Sequence, residues 1–142
     1  MIHYADTPKK LMHCLPAIQS LRPHINEKNI MRYIEQMEKE NYQVIYVEEN
    51  GKAVAFSGFR YITHLFTEKI IYIDDLGTIE EYQGKGYGSL LLDHIIQLAK
   101  EKGLYGVRLD SGHHRYDAHR LYLNKGFHIV SHHFSLKFRD PD

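Results

Sequence analysis

The stretch Gln83-Gly84-Lys85-Gly86-Tyr87-Gly88 separates two segments with different hydrophobic patterns. The segment before it, Glu68 to Thr78, is rich in isoleucine and predicts a long strand. The segment after it places apolar side chains at helical spacing and ends at Gly103, which predicts an amphipathic helix with a glycine terminus. The sequence therefore predicts a strand, a glycine-rich turn and a helix in succession. The apolar side chains of this helix are Leu91, Leu92, Ile95, Ile96, Leu98 and Ala99.

The glycine-rich turn is a candidate anion site. Glycine lets the backbone turn tightly and lets a ligand approach the N–H groups. The first turn of the following helix leaves N–H groups without intrahelical partners, and the helix dipole adds positive potential, so phosphate binds well there. Lys85 and Ser89 add side-chain donors. The spacing of Gly84, Gly86 and Gly88 matches neither G-x-G-x-x-G nor the P-loop, and a purely structural turn stays an alternative.

The first forty residues predict two helices, at 9–21 and 26–40, from apolar residues at helical spacing. Pro16 disfavours an unbroken first helix, because proline inside a helix breaks or kinks it. Asn26 is the predicted cap of the second helix. These two segments are the only helices expected before the strands begin.

The middle of the chain predicts an antiparallel meander that ends with the strand at Glu68 to Thr78. Its first strands are Gln43 to Glu48 and Ala53 to Tyr61, and Asn50-Gly51 predicts the hairpin between them because both residues tolerate positive φ. The pattern indicates one α/β domain over residues 1–142. The remaining predicted elements are a strand at Tyr105 to Asp110, a helix at 115–125 that ends at Gly126, and one or two closing strands between His128 and Lys137.

The composition of the 142 residues narrows the function classes. Eighteen basic and eighteen acidic residues give a net charge of zero, which argues against a nucleic-acid binder. No stretch approaches the roughly 20 apolar residues that a membrane span needs, and no secretory signal is expected at the N-terminus. The single cysteine, Cys14, has no partner for an internal disulfide, so a reducing cytoplasm is the expected compartment.

Two motifs in order resemble the GNAT N-acetyltransferase superfamily. Gln83 to Gly88 matches its R/Q-x-x-G-x-G/A motif, and Ala118 to Phe127 is similar to its second signature, A-x-x-(L/F)-Y-x-x-x-G-F. The resemblance covers roughly residues 43 to 138. It implies an α/β (α+β) fold with a mixed, largely antiparallel sheet of about six to seven strands, flanked by helices, with a cleft between strands four and five.

The resemblance also implies that acetyl-CoA is the co-substrate. Backbone N–H groups of the glycine turn would hold its pyrophosphate, and a bulged fourth strand would pair with its pantetheine arm as an added strand does. Arg115 stands where many members have asparagine, and is either a phosphate contact or a surface residue. The cofactor-binding residues expected on this basis are Leu76, Gly77, Thr78, Gln83, Gly84, Lys85, Gly86, Tyr87, Gly88, Ser89, Arg115 and Tyr122.

Transfer of an acetyl group to an amine needs a proton donor for the departing thiolate, a donor for the thioester oxygen and a base for the amine. The resemblance gives Tyr122 the role of acid, with packing of its helix against the sheet as the alternative, and a backbone N–H near Leu76 or Gly77 is expected to polarise the oxygen. Because related enzymes often use an acidic group in this strand, the resemblance makes Asp75 the expected catalytic carboxylate, with an ordinary solvated charge as the alternative. The identity of the base stays open, because the neighbouring residue on the opposite face of the strand and a histidine pair after the fifth strand are also candidates. Those alternatives are Asp74, His113, His114 and water.

The acceptor is not readable from the sequence, and a small amine such as an amino acid is the first expectation. A protein N-terminus or lysine is the second, and an acyl-CoA sensor without turnover or a DNA-binding regulator are other classes. No Cys/His framework predicts a metal site, so no metal is expected. Neither a membrane nor a nucleic acid is an expected partner, and both a monomer and a homodimer are compatible with the sequence.

Overall fold

The computed structural model describes residues 1–141, which form two compact units, Met1–Arg108 and a second that begins at Leu109. None of the helices in this part of the chain is long and apolar enough to cross a membrane. The bounds of the helices and strands are β1 (Ile2–Tyr4), α1 (Pro8–His13), α2 (Leu15–Leu21), α3 (Ile30–Glu38), β2 (Tyr42–Glu49), β3 (Lys52–His64), β4 (Glu68–Thr78), α4 (Tyr87–Glu101), β5 (Val107–Leu109) and α5 (Tyr116–Asn124).

The strands form one sheet in the order β1-β2-β3-β4-β5. The first four pair antiparallel. The chain then crosses through α4, and backbone bonds from Tyr105 N–H to Lys69 O and from Ile71 N–H to Gly106 O, both 3.1 Å, show that the last strand runs parallel to β4. The mixed, largely antiparallel sheet flanked by helices is confirmed. Its strand count over residues 1–141 is five, so the expected six to seven is wrong.

Helices cover both faces of the sheet. Side chains of α1, α2 and α3 share one buried cluster with Val44, Tyr46 and Phe56. Ile45 and Val47 are also buried, and because strand side chains alternate they lie on the opposite face, where α4 packs. The glycine-rich turn at the start of α4 is thereby fixed on the face opposite to the N-terminal helices.

The N-terminal helices differ from the predicted ones. The first breaks at Cys14, and Pro16 lies in the first turn of the second piece, where its missing N–H costs nothing. The helix predicted from residue 26 begins at Ile30, because Asn26 Oδ1 accepts from the N–H groups of Lys28 and Asn29 and forms a turn. In both places local side-chain chemistry shortens a helix whose hydrophobic spacing is correct.

The second unit contains α5, and Gly126 follows it with φ 95°. The closing strands predicted between His128 and Lys137 are wrong, since residues 127–141 contain no strand. Phe134, Leu136 and Phe138 alternate with polar residues as in a strand, but all three are exposed. Alternation selects a face only where a neighbouring strand supplies hydrogen bonds, and alternation alone does not create that neighbour.

Gly58 in β3 leaves space that the Tyr42 side chain fills. A Cβ built on Gly58 would lie 1.7 Å from Tyr42 Oη. We expect Gly58→Ala to displace the phenol and to lower the free energy of unfolding by about 3 kcal/mol, through overpacking and a lost hydrogen bond. Urea denaturation measures this, with Gly106→Ala as the control because nothing lies within 4 Å of a Cβ there. Equal stability of the two variants would refute the packing argument.

Candidate active site

The turn before α4 has a backbone that only glycine adopts easily. Gly84 has φ 80° and Gly86, the N-cap of the helix, has φ 88°, both in the left-handed region. A Cβ at either position would meet nothing within 4 Å, so the space beside the turn is open. The glycines are therefore required by conformation, and the surface that they leave is accessible to a ligand.

The same turn presents a row of N–H groups. The helix ladder starts with the bond from Leu90 N–H to Gly86 O, 3.0 Å long. Among residues 1–141, the backbone N–H groups of 84–89 have no partner. Free donors at the N-terminus of a 15-residue helix, together with its dipole, form a favourable environment for phosphate. This geometry fits the predicted role of Gly84, Gly86, Gly88 and Ser89, which stays a prediction.

The side chains around the turn brace it. Gln83 Nε2 donates to Thr78 O at 3.2 Å, which ties the turn to the end of β4. Tyr87 Oη donates to a carboxylate oxygen of Glu49 at 3.1 Å. The Lys85 ammonium lies 5.0 Å from the centre of the Tyr82 ring, a cation–π distance. Among Gln83, Lys85 and Tyr87, only Lys85 brings a positively charged side chain to the turn.

The end of β4 offers backbone groups in an alternating pattern. Ile79 N–H donates to Val54 O at 2.9 Å, and the register places Gly77 opposite Phe56. Because hydrogen-bonded pairs alternate in an antiparallel ladder, Gly77 bonds to β3, whereas Leu76 turns its N–H and C=O away from β3. The predicted oxygen donor was Leu76 or Gly77, and the ladder favours the Leu76 N–H.

A β-bulge lies just before this segment. Gly58 pairs with Asp75 and Phe59 pairs with Ile73, so Asp74 is the extra residue. The bulge modifies the expectation that Asp74 and Asp75 simply face opposite sides of the strand. Both residues take part in one network of charged groups. Asp75 accepts from Arg22 Nε at 2.9 Å and from Tyr42 Oη at 2.6 Å.

Asp74 is the second carboxylate of this network, and its Oδ2 accepts from Arg60 Nε at 2.9 Å. Burial raises the pKa of Asp74, although Arg60 opposes the shift. Burial also raises the pKa of Tyr42, and the adjacent Asp75 carboxylate adds to that shift. Both Asp75 oxygens are occupied, so this predicted base has no oxygen free of a protein partner.

The second unit holds the remaining predicted residues. Tyr122 is partly buried on α5 and packs against Phe127, with ring centroids 5.9 Å apart. Burial raises its pKa, so the phenol keeps its proton at neutral pH. Arg115 is the N-cap of α5 and its side chain makes no capping bond, while His113 and His114 are exposed before it.

Sequence reasoning missed the partners of the two aspartates, which are Arg22 and Tyr42 for Asp75 and Arg60 for Asp74. Arg22 lies 53 residues from Asp75 along the chain, and Tyr42 lies 33 residues from it. No local motif marks such contacts, and the one available signal was the pair of adjacent aspartates, which needs charge partners when it lies inside a strand. Residues 1–141 contain no group of three or more metal-ligating side chains arranged around a common point.

Comparison with known proteins assigns this geometry to a family. The sequence model described as the acetyltransferase (GNAT) family matches residues 11–127. The chain belongs to the GNAT acetyltransferase family. GNAT enzymes are acyltransferases that take the acetyl group from acetyl-CoA, so the N–H groups at α4 occur in a chain whose family binds a pyrophosphate-containing donor.

Two GNAT relatives are similar over most of their length. N-acetyltransferase YhdJ of Bacillus subtilis (strain 168) is 34% identical over 138 residues, which cover 94% of this chain and 97% of that protein. Streptothricin acetyltransferase A of the same strain is 29% identical over 81% of this chain and 70% of its own length. A solved structure, a putative acetyltransferase from Agrobacterium tumefaciens str. C58, shares the fold with a TM-score of 0.81 at 24% identity, covering 97% and 99% of the two chains.

The cysteine of this GNAT protein is unsuited to covalent catalysis. Cys14 is fully buried, and burial raises the pKa of its thiol to about 12, so a thiolate is scarce at neutral pH. We expect Cys14→Ala to leave kcat within about twofold of wild type while lowering the free energy of unfolding by about 1 kcal/mol. Steady-state thiol release and thermal melts measure the two quantities. Complete loss of turnover in a folded variant would instead indicate an acyl-cysteine intermediate.

Proposed function

We propose that this chain transfers the acetyl group of acetyl-CoA directly to the primary amine of a small molecule, in a ternary complex. The observation that carries the proposal is the row of unpartnered N–H groups at residues 84–89, at the positive end of α4. The pyrophosphate of acetyl-CoA has the charge and the acceptor oxygens that these donors need. The same site supports acetyl-CoA as the co-substrate, and no step of the proposal uses a metal.

The pantetheine arm binds along the end of β4 in this proposal. Leu76 directs its N–H and C=O away from β3, as an edge strand does toward an added strand. Gln83 occupies the Thr78 carbonyl, so Leu76 is the residue that offers both a donor and an acceptor. Its N–H donates to the thioester oxygen, and this bond strengthens as negative charge develops on that oxygen.

The reaction then proceeds by attack of the neutral amine on the thioester carbon, and the carbon–sulfur bond breaks. Tyr122 gives its proton to the departing thiolate, a role that rests on the second motif and on the protonated state of the phenol. Arg22 and Tyr42 each bond to one Asp75 oxygen, so we assign the amine proton to a water molecule beside Asp75, and the Tyr122 phenolate regains a proton from solvent. We place no step on Asp74, His113, His114 or Arg115.

A small-molecule acceptor is favoured over a protein. One relative is named streptothricin acetyltransferase, and the acceptor in that name is a single compound, not a protein. The net charge of zero gives no general attraction to polycationic protein tails. A protein N-terminus or lysine is the second candidate, and the cytoplasm remains the compartment that we expect for either reaction.

Calorimetric titration with acetyl-CoA, with dephospho-CoA beside it, tests the donor site. One saturable site supports the proposal, and a panel of amino acids, amines and peptides in a thiol-release assay then identifies the acceptor class. Absence of binding to a folded sample refutes acetyl-CoA as the ligand. Binding without turnover on any amine indicates a sensor and refutes the transferase.

A further inference from the structure

The bulge in β4 leaves a backbone carbonyl outside the ladder, and one side chain donates a hydrogen bond to it. The Asp74 carbonyl accepts from Arg22 Nη2 at 3.1 Å. The Nε of the same guanidinium donates to Asp75 Oδ1 at 2.9 Å. Arg22 therefore bonds to both residues that precede Leu76, once through backbone and once through side chain.

Arg22 is itself held in place by its helix. It is the C-cap of α2, and its N–H donates to Ile18 O at 2.8 Å. The end of α2 approaches β4 closely, because a Cβ built on Gly77 would lie 3.1 Å from Leu21 Cβ. The end of α2 thus meets β4 on both sides of Leu76, through the guanidinium before it and through Leu21 after it.

We propose that Arg22 is a positioning residue that fixes the orientation of the Leu76 peptide through the bulge. This inference rests on the proposed function, in which the Leu76 N–H donates to the thioester oxygen. A bulge leaves its extra residue unpaired and disrupts the ladder locally, so a bond to the carbonyl of that residue restrains the strand there. Small misplacement of an oxyanion donor costs rate much more than it costs substrate binding.

The double contact requires arginine. The planar guanidinium presents donors in a fixed fork, so one group reaches a carbonyl and a carboxylate at the same time. A lysine ammonium is a compact charge on a flexible stem and does not reproduce that fork. We therefore expect Arg22→Lys to keep the charge near Asp75 and to lose the restraint on the Asp74 carbonyl.

Arg60 provides a matched control. Its Nε donates to Asp74 Oδ2 at 2.9 Å, and its side chain is 18% exposed, compared with 41% for Arg22. Arg60 has no bond to the bulge carbonyl among residues 1–141. If these arginines act only on stability, Arg60→Gln is the more damaging change, because the more buried charge pair costs more to break.

The experiment compares Arg22→Gln, Arg22→Lys and Arg60→Gln with the wild type. We expect Arg22→Gln to lower kcat by about tenfold or more, with the Kd for acetyl-CoA changed by less than about threefold. Arg22→Lys falls between, and Arg60→Gln lowers the melting temperature at least as much but keeps kcat within about threefold. In the ligand-free protein, the amide NMR signal of Leu76 shifts in both Arg22 variants and stays in place in Arg60→Gln.

Three outcomes would overturn the inference. The first is an unchanged kcat in Arg22→Gln, and the second is an equal loss of kcat in Arg60→Gln. The third is an unchanged Leu76 amide signal in Arg22→Gln, which would mean that Arg22 does not control the bulge. A wild type that transfers no acetyl group refutes the proposed function instead, and the Leu76 amide signal still tests whether Arg22 controls the bulge.

Discussion

Gly86→Glu abolishes the binding of acetyl-CoA to the folded protein, with an expected loss of affinity of at least about a hundredfold. Gly86 is the N-cap of α4 and lies among the unpartnered N–H groups that we assign to the pyrophosphate. A carboxylate there competes for those donors and repels the phosphates. Calorimetry with acetyl-CoA measures the loss directly.

The control for this substitution is Gly103→Glu. Gly103 follows the other end of α4, also has a left-handed φ, 65°, and has nothing within 4 Å of a Cβ. Both glutamates therefore introduce similar backbone strain, of about 1–2 kcal/mol, but only one lies at the anion site. Normal affinity in Gly103→Glu is expected. Affinity within about threefold of wild type in Gly86→Glu would remove the glycine turn as the pyrophosphate site.

Tyr122→Phe lowers kcat by about a hundredfold and leaves the Kd for acetyl-CoA nearly unchanged. The phenol is partly buried and its pKa is raised, so it carries the proton that the departing thiolate needs. Phenylalanine keeps the packing against Phe127 and removes only that proton. Thiol release at saturating acceptor gives kcat, and calorimetry gives Kd.

Tyr116→Phe is the matched control for Tyr122→Phe. Tyr116 lies on the same helix but is 67% exposed, so loss of its hydroxyl is expected to change neither kcat nor affinity. If Tyr122→Phe turns over at the wild-type rate, Tyr122 is not the acid. A parallel loss of affinity and rate would assign the hydroxyl to binding of acetyl-CoA.

Local chemistry explains what could be predicted from the sequence. The bounds of β4 agree with the predicted strand, Asn50 and Gly51 both have positive φ in the hairpin, and Gly103 and Gly126 follow their helices in the left-handed region. Each of these features depends on residues a few positions apart. The glycine turn belongs to the same class, because its conformation is dictated by its own glycines.

The parts that could not be predicted depend on residues distant in the sequence. The bulge at Asp74 is visible only when β3 is placed beside β4, and the contacts of Arg22 and Tyr42 with Asp75 need the folded sheet and helix. The absence of strands within residues 127–141 illustrates the same dependence. The side chains of that segment alternate as in a strand, but no partner strand in the same unit pairs with it.

The gap at Gly58 gives the sheet a connection between strands that are not neighbours. Backbone ladders transmit displacement only from one strand to the next. Tyr42 passes over Gly58 and bonds to Asp75, so β2 is tied to β4 by a single rigid side chain across the strand between them. Sliding of β4 at its bulge must therefore move β2 as well, and the stiffness of the proposed thioester site is shared by three strands.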